Sequence, residues 1–425
     1  MFTSFRKTVE PLREAPRRVL PTPSSMPPLP SYIPPQFEPF TVSEDLDTAI
    51  KCLKAPLGST LGLPNTPTWP KGAESAHPFK GGAGPGIERI KHLVESGSMS
   101  AYKDTRNGLL GLDFSTKLSA WLALGCVTAR QIHWALIDFE DGKTDVGKSA
   151  VGYGKGESKG TAAVRFELLW RDYMRLCTRK FGHRLFRIEG FRDDKTTGWK
   201  YISSPLSHST KKRGSPDDST ATAVLRFITG RTGTGLIDAS QRELFLTGYT
   251  SNRARQNVAS YLAKHLGIDW RIGAEWYECN LIDYDVSSNW GNWQYVAGVG
   301  NDPRGSRIFN PVKQAMDYDA QGQYIRSWVE ELKGVNIEEK QNSENLMGIF
   351  QAWRLPQDEQ HRLGLEKVDW VQKPLVKIDF SPNRRGGGVK RGRGRGGNSS
   401  GGKGSGRGGR GFERKGIMDR AMVET

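Results

Sequence analysis

Apolar residues return at helical spacing through the middle of the chain. In IERIKHLVES they fall at 87, 90, 93 and 94, one face of a helix. TARQIHWALIDFE opens on Thr128, a side chain suited to capping orphan backbone N–H groups. It then carries Ile132, Leu136 and Phe139 on one face. VRFELLWRDYMRLCTRKFG places Phe166, Leu169, Tyr173, Leu176 and Cys177 at the same spacing and stops at Gly182, a residue that commonly ends helices. VASYLAKHLG, EWYECNLIDYD and YIRSWVEELKGV repeat the pattern. Few segments alternate with the period of two that marks a half-buried strand. A nearly all-α domain is therefore expected over 81–335. Two stretches interrupt it. Residues 141–160 are a Gly/Lys insertion, expected as a surface loop, and 201–219 are rich in Ser, Lys and Pro, expected to be flexible.

The flanks read differently. VLPTPSSMPPLPSYIPPQFEPF holds eight prolines and predicts an extended connector. From 386 to 411, fourteen of twenty-six residues are Gly, too few apolar groups to offset the entropy of ordering. The chain thus divides into a Pro-rich connector (1–80), the helical domain (81–335), a C-terminal extension (336–381) and a disordered Gly/Arg-rich tail (382–425).

These flanks explain a composition of only 36% hydrophobic residues with 50 Gly and 23 Pro among 425. What lies between is ordinary globular sequence, long enough for a large core. Net charge is +16, and residues 383–415 alone hold eleven Lys/Arg against one acid. A basic tail on a mildly basic body points to a polyanion, most simply nucleic acid; a solubilising tail is the alternative. Its RGRGRGG and GRGGRG units offer Arg for pairing with phosphate and stacking on bases. No apolar run is long enough for a transmembrane helix. The cysteines, at 52, 126, 177 and 279, form no CxxC pair, so neither a zinc site nor a disulfide framework is expected, and a reducing intracellular home fits. Nucleus, cytoplasm and mitochondrion stay open. The first twenty residues are Arg-rich like a presequence, but Glu10 and Glu14 count against one.

Four polar clusters interrupt apolar helical sequence. In YKDTRNGLLGLDFSTKLSAWLALG, Ser115, Thr116, Lys117 and Ser119 put hydroxyls and a cation where a helix begins. Free backbone N–H groups there favour phosphate, although a simple cap would use the same residues. In FELLWRDYMR, Glu167 and Arg171 stand four apart on one face, beside Trp170. In TGYTSNRARQNVASYL, Asn252, Arg253 and Arg255 open a helix. In DWRIGAEWYECNLIDYDVSSNWGNWQY, Asp283 and Asp285 frame a tyrosine, and Asn289, Trp290, Trp293 and Tyr295 follow.

In this order, the clusters and the TGTGLIDASQREL run before the third resemble the flavin domain of the photolyase/cryptochrome superfamily, in particular the DASH-type cryptochromes. The resemblance runs from His77 to Leu332. HPFKGG at 77–82 and the Pro-rich connector share it, and TSFRKTVEP resembles the end of that family's antenna domain. The rest of the antenna domain has no counterpart here.

The resemblance implies an all-α domain holding FAD. Tyr102 and the run Ser115, Thr116, Lys117, Leu118, Ser119 would take the pyrophosphate and ribityl chain. Arg171 would lie near the flavin, Asp283 and Asp285 at the ribose and isoalloxazine, and Asn289 at flavin N5. Trp293, Trp270 and Trp199 would form an electron route. Glu167 would hydrogen-bond a flipped pyrimidine dimer and Trp170 would stack on it. Arg106, Asn252, Arg253 and Gln314 would contact the strand. Tyr295 stands where photolyases have a second tryptophan, a weaker clamp that favours single-stranded DNA. The implied activity is light-driven dimer splitting; a photoreceptor, or an RGG-tailed nucleic-acid binder without repair, is the alternative. No metal, no folate-type antenna chromophore and a monomer are expected, with RNA as a further partner of the tail.

Overall fold

The computed structural model describes residues 2–21, 23–35, 45–54, 67–202, 219–302, 307–337 and 343–379. Helices account for nearly all regular structure: α1 (Phe2–Val9), α2 (Leu46–Lys54), α3 (Ala83–Glu95), α4 (Ser98–Thr105), α5 (Ser119–Ala123), α6 (Ala129–Glu140), α7 (Lys159–Phe181), α8 (Ser219–Ile228), α9 (Gly235–Thr247), α10 (Asn252–Ser260), α11 (Trp270–Asn280), α12 (Val286–Ala297), α13 (Pro311–Tyr318), α14 (Gln323–Trp328), α15 (Ser343–Phe350), α16 (Gln357–Arg362) and α17 (Asp369–Gln372). Among the described residues no strand forms, and extended pairing is limited to isolated bridges, Lys200 with Ile268 and Thr234 with Gln351. The all-α expectation holds. The Ser/Lys-rich insertion falls mostly, and the Gly/Arg-rich tail wholly, outside the described residues.

Local chemistry sets the ends of these helices. Thr128 caps α6 with a full capping box through Gln131, and Ser158 caps α7 through Thr161. Gly182 ends α7 at φ 55°, a conformation that costs glycine little. Asp285 caps α12 by accepting from the Ser288 N–H at 3.0 Å.

The long helix α7 is the spine, packing on α1, α4, α6 and α12. Its buried face differs from the apolar stripe read from the sequence. Leu176 is exposed, and Phe166, Leu169 and Tyr173 are only partly buried. Val164, Glu167, Leu168, Trp170, Arg171 and Met174 are buried instead. Polar Glu167 and Arg171 are buried on this face, so the interior of the bundle is not purely apolar. A smaller cluster around Leu93, Ile132, Leu136 and Phe139 packs α3, α4 and α6 on the first turns of α7. The larger one runs from Trp170 through α9–α14 to Ile378. The described part of the C-terminal extension belongs to that larger core, through Ile349, Phe350, Trp370 and Val371.

Two segments are more ordered than their composition predicts. In the 141–160 insertion, Val146, Ala150 and Tyr153 fold back on the smaller cluster. The N-terminal connector carries helices α1 and α2, and is strapped to α6. Arg13 pairs with Glu140 at 2.5 Å and Arg18 with Asp138 at 2.7 Å, while the Trp134 indole donates to the Arg17 carbonyl at 3.1 Å.

Candidate functional site

The run 115–119 sits in a tight loop rather than at the start of a long helix, since α5 has only five residues. Arg89 organises that loop. Its guanidinium donates to the carbonyls of Leu112, Ser115 and Thr116 at 3.0, 3.2 and 3.0 Å and pairs with Asp113 at 2.7 Å. Lys117 adopts φ 54°, a left-handed conformation that costs a residue with a Cβ about 1–2 kcal/mol. The strain comes with a buried ammonium. Lys117 Nζ donates to the carbonyls of Ala76 and Gly111 and lies 4.2 Å from the centroid of the Phe114 ring. Tyr102 and Ser115 are buried as well.

Thr116, Leu118 and Ser119 line one cleft with Glu167 and Arg171. The structure thus brings the hydroxyl loop and the polar face of α7 together, although they lie some fifty residues apart in sequence. Glu167 and Arg171 share that face without pairing to each other. Glu167 accepts from Arg106 at 2.5 Å, whereas Arg171 donates a long 3.3 Å bond to the Leu122 carbonyl. Burial pushes the Arg171 guanidinium below its ordinary value.

Asp283 accepts a two-pronged bond from Arg255, at 3.2 and 2.9 Å. Asp285 pairs with Arg175 at 2.8 Å. Burial works to raise the Asp285 carboxyl, but Arg175 and the Ser288 N–H outweigh it and hold it below the usual carboxylate range. His77 is buried against Tyr249 and Trp121, and burial takes its pKa down to about 4.

The aromatic wall is built by α11 and α12. Trp293 meets Tyr277 edge-on, with centroids 5.2 Å apart, and its ring lies so close to Gly273 that a Cβ there would stand 2.1 Å away. Trp270 sits one turn before Gly273 on α11. Its indole donates to the Ile188 carbonyl at 3.1 Å. Trp199 joins through the backbone: Lys200 N–H donates to Gly267 and Asp269 N–H to Lys200, which brings Trp199 to the start of α11 across the insertion. Asn289 donates to the Ala274 carbonyl at 2.9 Å.

Trp170 and Tyr295 meet edge-to-face with centroids 5.7 Å apart. Phe2 of α1 packs on Trp170 at 4.5 Å, and Trp170 is 2% exposed. Arg253 donates to Asn107 at 2.5 Å and to Gln256 at 2.9 Å and lies over the Tyr318 ring at 4.7 Å. Asn252 precedes it at the start of α10, and Gln314 on α13 has a buried, unpartnered Oε1.

Arg89, Arg255 and Tyr277 had no assigned role in the sequence reading. Arg255 is named with Asn252 and Arg253 at a helix start, but nothing local marks it as the partner of Asp283.

A family model described as the FAD binding domain of DNA photolyase matches residues 164–385. A cryptochrome DASH protein of Gibberella zeae is 53% identical over 90% of this chain and 54% of its own length. A cryptochrome DASH of Xenopus laevis is 42% identical over 79% of this chain and 54% of its own. The crystal structure of a Synechocystis sp. PCC6803 cryptochrome superposes with TM-score 0.62 at 35% identity, covering 89% of this chain and 66% of that one. The chain therefore belongs to the photolyase/cryptochrome superfamily, through its FAD-binding helical domain. Within the superfamily it is of the DASH type. It spans about half the length of the curated relatives it matches.

The polar groups at and around the cleft are of the kind that a flavin dinucleotide requires. Ser115 Oγ is buried in the loop without a hydrogen-bond partner, and a buried Arg171 with one long bond leaves donors for an anion or a ring carbonyl. Tyr102 and residues 115–119 would hold the diphosphate side, Arg171, Asp283, Asp285 and Asn289 the ring side. FAD brings light absorption and one-electron chemistry, which the protein tunes by polar contacts.

Proposed function

We propose that this chain binds FAD and, under blue light, splits cyclobutane pyrimidine dimers, preferentially in single-stranded DNA. The observation that carries this reading is the edge-to-face pair of Trp170 and Tyr295 beside Glu167, which lines the flavin cleft. Two perpendicular rings form an apolar corner for a flipped dimer, and Glu167 supplies a polar contact at its edge. Extrusion costs a few kcal/mol from a duplex and less from a single strand, so a Tyr in place of an indole suits the easier substrate. Arg106, Asn252, Arg253 and Gln314 are the contacts proposed for the strand. The tail, with net charge concentrated over 383–415, would add contacts to phosphate on DNA or RNA. A monomer without an antenna chromophore remains the working expectation.

The test is illumination of the FAD-loaded protein with a single-stranded oligonucleotide carrying one dimer. Light-dependent loss of the dimer supports the reading; binding without repair sinks it. A photoreceptor role without repair is the second reading, and the packing of Phe2 on Trp170 favours it, because a dimer would have to displace that ring. As for compartment, the Neurospora crassa relative is named as mitochondrial, and among the described residues no helix is long and apolar enough to cross a membrane.

A further inference from the structure

Two tryptophan-bearing segments adjoin the start of α11, where Trp270 lies. One carries Trp199 and is tied there by the Lys200–Ile268 backbone bridge. The other carries Trp290, whose ring meets Trp270 edge-on with centroids 5.8 Å apart. Trp290 is 5% exposed and packs beneath Phe186 at 4.9 Å, itself at the surface.

The two indoles differ in what their N–H groups face. Trp270 donates to a backbone carbonyl, a neutral acceptor that will not take a proton. Trp290 donates to a carboxylate, with Nε1 2.9 Å from Glu278 Oε2, and Glu278 is exposed to solvent. Losing an electron makes an indole N–H a far stronger acid. A hole resting on Trp270 keeps its proton and can run back inward. A hole reaching Trp290 can shed its proton along an existing hydrogen bond.

We propose that Trp290, with Glu278 as its proton acceptor, is a second terminus of the electron route, one that traps the hole as a neutral indole radical. This rests on the reading above, in which light draws an electron from Trp293 toward the flavin cleft and Trp270 refills it. Trp290 then gives one electron to the oxidised Trp270 and its Nε1 proton to Glu278 Oε2. The products are neutral Trp270, a neutral Trp290 radical and a protonated Glu278, which equilibrates with water. A thiol reductant resets the site by returning one electron, and a proton from Glu278 or solvent restores the indole. Tyr284 neighbours the same carboxylate; burial first, then Glu278, raise its phenol to about 12.

The test is flash photolysis of the FAD-loaded chain with electron paramagnetic resonance, comparing wild type, Trp290→Phe and Glu278→Gln. The wild type should yield a long-lived neutral indole radical. In both variants the radical should remain cationic and decay about tenfold faster, equivalent to about 1.4 kcal/mol in barrier. Unchanged protonation state and lifetime in both variants would overturn the proposal, as would a signal from Tyr284 in place of an indole. Absence of any light-induced radical in the wild type would count against the underlying reading instead. The proposal then stands or falls on oxidation by radiolytic azide radicals, which needs no flavin. There, the neutral indole signal should fall in Glu278→Gln, and an unchanged signal overturns it.

Discussion

Two regions of the helical domain, the loop around Lys117 and the wall of α11 and α12, are built on opposite principles. The loop around Lys117 is held by charge: Arg89 gathers three carbonyls, Lys117 buries its ammonium among two more, and Arg255 clamps Asp283. The α11–α12 wall is held by contact: Trp293 against Gly273, Trp270 against Trp290, Tyr277 against Trp293. The first arrangement concentrates positive charge, of the sign a diphosphate would require. The second keeps oxidisable rings in van der Waals reach and leaves no room for movement. Substitutions on the loop side should therefore weaken ligand binding most, and those on the wall should disturb the fold or the electron route.

The Arg255–Asp283 clamp is the exception that should cost most. The Asp283 side chain is 1% exposed, so Arg255→Met leaves a carboxylate buried without its partner. The expected loss is up to about 3 kcal/mol of stability, measured by urea denaturation, together with loss of bound flavin. Gly273→Ala comes next. A Cβ would stand 2.1 Å from the Trp293 ring and 2.8 Å from Leu262, an overpacking expected to cost about 1–3 kcal/mol and to slow flavin photoreduction by displacing the ring.

Lys117→Met should behave in the opposite way. The midpoint of unfolding should hardly move, because relief of a buried charge offsets lost hydrogen bonds. FAD affinity should drop about tenfold, or about 1.4 kcal/mol, as titration of flavin fluorescence would report. If Lys117→Met unfolds the chain while Gly273→Ala does not, the contrast between the two sides fails.

The smallest effect concerns Glu243, fully buried on α9, where it accepts from the Tyr324 hydroxyl at 2.6 Å. Burial, working against the hydrogen bond from Tyr324, lifts its pKa from 4.5 to about 7. A raised pKa means the folded state prefers the protonated acid. That contribution is complete below the unfolded value and fades as pH rises through the folded one. Between pH 4.5 and about 7, Glu243→Gln, which imitates the protonated form, should therefore lose less stability than the wild type. Parallel curves in the two proteins would contradict the shift.

How much of this was legible follows from the kind of signal each region carries. Ser115–Ser119, Glu167 and Arg171 stood out because hydroxyls and charges inside apolar helical sequence break the local pattern, as functional sites do. The same exception misdirected the choice of buried face on α7, where the apolar-stripe rule selects Phe166 and Leu176 over Glu167 and Arg171. The N-terminal strap was invisible, since Arg13 and Glu140 meet across 127 positions and nothing local announces the pair. Asp283 was noted, but its clamp by Arg255 is tertiary. The segment carrying Trp199 reaches the start of α11 only through a backbone bridge that spans the insertion.

The most direct test of the account is the rate of light-driven flavin reduction in the purified FAD-loaded chain, with equimolar FAD verified on denaturation, compared between wild type and Trp293→Phe. The account predicts that both proteins retain FAD and that reduction in the variant is at least about tenfold slower, because the first donor in the wall is gone while the charged loop is intact. Wild-type kinetics in Trp293→Phe would contradict the route through α11 and α12, and a chain purified with no affinity for FAD would contradict the site itself.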